Sequence, residues 1–188
     1  MFGKERTFPI RLPIKILFAF AILLPTVADG CELSARSILE DLSGGSGREV
    51  VARLWDGGEC ETALLGQVSR GDAEWLKVAL ALEPYSDAAA GETLEAAMSH
   101  AMQRAPSRVL PMLDQSRFGL RLCVPISFDE SESAIRRFRA QLVAARRMYS
   151  DYRGTSLARN ASACLKEVDS IEASLATPSS SAVQSRGP

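Results

Sequence analysis

The four cysteines carry the most chemistry in this chain. Cys31, Cys60, Cys123 and Cys164 stand far apart, with no Cys-x-x-Cys pair and a single histidine, His100, to accompany them. That spacing suits neither a dithiol redox motif nor the clustered ligands of a zinc site. The chemistry left to them is pairing with one another, and four cysteines allow three connectivities. Cys164 falls on the apolar stripe of the last helical segment, and Cys123 lies in the segment leading toward it. We therefore expect Cys123–Cys164, with Cys31–Cys60 as the second pair. A competing use of Cys31 is as a lipid anchor, since Gly30 precedes it, and that would leave Cys60 as a free thiol.

Arginines form the second concentration. Arg136, Arg137, Arg139, Arg146, Arg147 and Arg153 crowd one stretch near the C-terminus. Arg136, Arg139, Arg146 and Arg147 are the candidate interaction face, for a phosphate, a lipid headgroup or an acidic protein. The competing reading is a solvated helix face, with Glu130 and Glu132 set at the opposite end as the helix dipole prefers.

Other residues promise less. His100 has only Ala96 and Ala97 one turn back, so no carboxylate on its own helix orients it as a general base. Glu40-Asp41 and Asp129-Glu130 are adjacent acids of the kind common on turns, and only a deep cleft would make either a hydrolytic pair. Gly44-Gly-Ser-Gly47 lacks the Gly-Lys-Ser/Thr ending of a phosphate loop. Asn160-Ala-Ser162 matches a glycosylation sequon but falls inside a predicted helix. Trp55 and Trp75 lie on apolar stripes and are expected in the core. No catalytic residue, metal or cofactor is expected.

The elements that must position these residues are helical. Glu32–Leu42, Arg48–Trp55 and Glu59–Ser69 read as short helices separated by glycines. Asp72 is placed to cap a fourth helix that carries Trp75, Ala79 and Leu82 and stops at Pro84. Leu94, Ala97, Met98, Ala101 and Met102 form a stripe at helical spacing. A short helix over Ser107–Leu113 comes after Pro106, weakened by Pro111.

Phe118, Leu120, Leu122, Val124, Ile126 and Phe128 then alternate with period two, the mark of an extended segment. It reads as a connector pressed against helices, or as an edge strand for another chain, although Pro125 removes one donor. Two long helices close the chain. Ile135, Phe138, Leu142, Ala145, Tyr149 and Tyr152 form the seam of the first; Leu157, Ala161, Cys164, Val168, Ile171 and Leu175 form that of the second. Gly154-Thr155 breaks between them and makes an antiparallel hairpin.

The first 30 residues read as an address. A basic start (Lys4, Arg6, Arg11, Lys15), an apolar run from Ile16 to Leu24, Pro25 and then small residues match a cleaved secretory signal. The run is too short to span a bilayer, so no membrane span is expected after cleavage. Beyond residue 30 the chain carries 18 Lys and Arg against 21 Asp and Glu, which argues against a dedicated nucleic-acid binder. Residues 31–176 are expected to form one helical domain and 177–188 a disordered polar tail.

Trp75 to Leu113, with Leu122-Cys-Val-Pro-Ile126 and Ala163-Cys-Leu165, resembles small, uncharacterised exported helical proteins of proteobacteria. That resemblance implies export and brings no activity with it. The sequence thus predicts an all-α, disulfide-stapled domain of short antiparallel helix pairs closed by a long hairpin. It would be periplasmic or secreted and act as a non-enzymatic interaction protein on an unidentified protein partner. An immunity or inhibitor protein against a secreted toxin or hydrolase is the alternative, and an envelope hydrolase a more distant one.

Overall fold

The computed structural model describes residues 31–56, 58–126 and 131–176. The expected signal segment, Asp129-Glu130, Phe128 and the C-terminal tail lie outside them. Eight α-helices and no strand occur among the described residues.

The first helices are short because glycine or a polar cap interrupts each apolar stripe. α1 (Ala35–Ser43) starts at Ser34, whose side chain accepts the Ser37 N–H, and Gly44 closes it by donating to carbonyls of its last turn. α2 (Gly47–Trp55) and α3 (Glu59–Ser69) come next. Asp72 caps α4 (Ala73–Leu82) through the Glu74 N–H, as expected, and Pro84 turns the chain into a 3₁₀ turn, Glu83–Tyr85. Asp87 caps α5 (Ala88–Arg104), whose buried face holds the stripe from Leu94 to Met102. Pro106 opens α6 (Pro106–Val109), and Pro111 shifts the chain beyond it into a 3₁₀ turn, Leu110–Met112. Gly71, with φ +74°, sits under Ala105 so closely that an added Cβ would lie 2.5 Å from the Ala105 Cβ. Only glycine combines that backbone with that approach.

α1 packs on α4 and α3 on α5, and one core runs through them from Ile38 to Met102. Trp75 is buried there. Trp55 is half-buried, and its indole N–H donates to Thr93 Oγ1 at 3.2 Å.

The period-two segment is where the sequence reading fails. Gly119–Cys123 is a 3₁₀ turn, and only at Val124 does the chain become extended. Phe118, Leu122 and Cys123 are buried while Leu120 is 41% exposed, so the alternation does not describe the burial. Gly119, with φ +54°, supplies a backbone that a strand cannot use. The turn is anchored locally: Arg117 and Arg121 flank the Phe118 ring at 6.0 and 5.6 Å. Neither the extended connector nor the edge strand holds for Phe118–Cys123. In this turn Cys123 is buried beside Leu122.

α7 (Glu132–Ser150) and α8 (Ala158–Ala176) pair as the expected hairpin, with Gly154 at φ +82° in the link. Leu142, Ala145, Tyr149, Ala161, Cys164 and Val168 are buried along the seam. Ile135 is a correction: it is 37% exposed, in the first turn of α7 at the end of the hairpin remote from Gly154. α8 joins the body through the 3₁₀ turns Leu110–Met112 and Gly119–Cys123. The junction is polar as well as apolar, with Tyr149 Oη donating to the Cys123 carbonyl at 2.9 Å and Asn160 Nδ2 to the Leu110 carbonyl at 2.6 Å.

Both expected disulfides are present, Cys31–Cys60 and Cys123–Cys164. The first ties the segment before α1 to α3, and the second ties the 3₁₀ turn to the N-terminal half of α8. With its sulfur bonded to Cys60, Cys31 has none to give to a lipid thioether.

Candidate interaction face

α7 forms because a seam repeats every three to four residues and Ser131 caps its start through the Ala134 N–H. The residues off that seam are largely arginine. At 3.6 residues per turn, Arg136, Arg139, Val143, Arg146 and Arg147 fall within about a third of the helix circumference. All five are exposed, and Val143 is 44% so. Arg137 lies on another side of α7.

Each arginine has its own setting. Arg136 meets Glu132 at 3.5 Å, one turn back and well exposed, a pair that contributes little. Arg139 reaches across to the Leu175 carbonyl in the last turn of α8 at 3.3 Å. Arg146 bridges to Asp169 and to Glu172 of α8, and hydrogen bonding to Asp169 holds its guanidinium above the usual range. Arg147 stands exposed beside them. Between the two helices runs an open trough of about 430 Å³, lined by Arg139, Val143, Glu172, Leu175 and Ala176. Its floor is apolar and its two rims differ, with arginine along α7 and acid along α8.

The hairpin also differs in charge from the body. Residues 31–126 hold nine basic against fourteen acidic side chains, and residues 131–176 hold eight against five. Within α7 alone the ratio is five to one.

A second cluster has no signal in the sequence. Glu83 is buried, and its carboxylate accepts from Ser116 Oγ and from the Arg117 N–H, both at 2.7 Å, while the Arg117 guanidinium donates to the Glu83 carbonyl. Burial pushes the Glu83 carboxyl up despite these donors, and nearby Glu95 adds to the shift. Glu95 is raised too, by burial first and by Glu92, against the opposing pull of Arg121 at 3.2 Å. Two neighbouring carboxyls with raised values would suit an acid–base pair. Glu83, however, gives both oxygens to the chain's own donors and is 2% exposed. It holds the 114–118 segment onto the end of α4 and has no open side for a substrate.

The other candidates are placed individually. His100 is exposed on α5. Glu40 pairs with Arg36 and Asp41 with Arg53, at 2.8 and 2.6 Å, so the two adjacent acids serve separate contacts. Asn160 spends its amide on Leu110, which makes it a packing residue of the junction. Among the described residues no group of His, Cys, Asp and Glu could hold a metal ion, and no helix is long and apolar enough to cross a membrane. No protein-family model, no curated protein and no solved structure matches this chain.

Proposed function

We propose that this chain is an exported helical interaction protein that binds a protein partner through the α7–α8 hairpin and catalyses no reaction itself. The observation that carries this reading is the trough. An open apolar surface of Val143, Leu175 and Ala176 lies between Arg139 of α7 and Glu172 of α8, and Val143 is 44% exposed. Exposed apolar surface framed by charge is the usual make-up of a binding patch. The two disulfides agree with an oxidising space, and the basic, apolar, small-residue order of the first 30 residues supports export to the periplasm or beyond.

The test is site-specific photo-crosslinking in the native cell. A benzophenone amino acid at Val143 is expected to give a discrete protein adduct. The same probe at Leu120, comparably exposed on the 3₁₀ turn, is expected to give none. Equal, diffuse labelling from both positions, or retention of unprocessed chain in the cytoplasm, would overturn the reading.

A further inference from the structure

The trough is specific enough to name the chemistry of its occupant, an inference that rests on the interaction reading. We propose that it receives one amphipathic, acidic α-helix of the partner protein. Apolar side chains one turn apart on the guest would settle on Val143 and Leu175. Carboxylates on one flank of the guest would meet Arg136 and Arg139.

Four observations lead there. The space is an open trough of about 430 Å³ between α7 and α8, with Val143, Leu175 and Ala176 in its lining, a size that takes a few side chains from a docked helix. The α7 rim places Arg136, Arg139, Val143 and Arg147 at spacings of three and four residues, the same repeat by which a guest helix presents its own side chains. Arg139 uses one N–H on the Leu175 carbonyl, and a guanidinium has five to offer, so a carboxylate can still be bound. The charge of α7, five basic side chains against one acidic, favours an acidic guest and repels a second α7 face.

The same geometry disfavours an anionic membrane. Asp169 and Glu172 stand along the α8 rim, so a flat anionic surface would meet acid as well as arginine. A helix sunk between the rims can set its acidic flank against α7 and a neutral or basic flank against α8. The site is therefore oriented, and the guest has one preferred direction and roll.

The test uses a labelled amphipathic peptide with leucines on one face and glutamates on its flanks, a twin with lysine in place of glutamate, and phosphatidylglycerol vesicles. Fluorescence anisotropy with the mature chain is expected to favour the glutamate peptide by about tenfold or more over its twin. Val143→Asp should abolish that binding, and Arg136→Glu with Arg139→Glu should invert the preference toward the lysine peptide. All three positions are exposed, so circular dichroism should remain that of the parent.

Equal binding of the two peptides, or binding indifferent to Val143→Asp, would overturn the proposal. So would arginine-dependent binding to the vesicles, or self-association through the same residues. If the crosslink at Val143 still yields a protein adduct when the peptide test fails, the partner is of another chemistry and the interaction reading stands. If both fail, both are wrong.

Discussion

Glu83 shows what one buried side chain can do to a pH profile. Its carboxyl is raised in the fold, chiefly by burial, so the folded chain takes up this proton more readily than the unfolded one. The stabilisation from the neutral form is complete below the ordinary carboxyl value and is lost as pH rises through the raised one. Glu83→Gln should keep the contacts, since the amide oxygen can accept from Arg117 N–H and the amide N–H can donate to a rotated Ser116 hydroxyl. We expect melting scans across the mildly acidic to neutral range to show a shallower decline of Tm with rising pH in Glu83→Gln than in the parent. Glu95, raised for a similar reason, should supply the slope that remains. Glu83→Ala leaves the Arg117 N–H without its acceptor and should cost about 1–3 kcal/mol. An unchanged denaturation midpoint in that variant would show that the contact is dispensable. Glu83 and Ser116 are 33 residues apart, and no local pattern marks such a pair. That is why the cluster is invisible in the sequence.

At the scale of the element, the hairpin is the strongest test of pattern reading. Leu142 and Val168 are fully buried on facing seams. Leu142→Ala should destabilise by about 2–5 kcal/mol. Leu142→Asp or Val168→Asp, which bury an unpaired charge, should abolish the folded hairpin. Thermal melts and α-helical circular dichroism check both, and a parental Tm in either Asp variant would refute the seam.

This hairpin was legible because a nineteen-residue helix repeats its period five times. Gly119–Cys123 was not, because five residues are too few to separate period two from period three. The usable clues there were Gly119, which weakens a strand, and the four-residue step from Arg117 to Arg121 around Phe118. The candidate face was half legible. The arginines are plain in the sequence, and helical spacing gathers four of them around Val143. The trough beside them depends on where α8 lies, which only the packing reveals.

For the whole molecule, one disulfide joins the segment before α1 to α3 and the other joins the Gly119–Cys123 turn to α8. They close separations of 29 and 41 residues, for which the loss of unfolded-chain entropy predicts about 3.5–4 kcal/mol each. Replacing Cys123 and Cys164 together by alanine should lower Tm and should also loosen α8 from the 3₁₀ turn, because the bridge joins these two elements directly. Replacing Cys31 and Cys60 should cost a similar amount while leaving the hairpin undisturbed. Hydrogen exchange separates the two cases, with faster exchange at the α8 amides expected only in the first variant. The parental chain should be inert to thiol reagents when unfolded without reductant.

The position of Cys164 has a mechanical consequence. Tension applied to the open end of the hairpin travels along α8, and at Cys164 it meets a covalent bond into the turn beside α5. Pulling would splay or fray the C-terminal part of the hairpin before it could separate α8 from the turn at Cys123.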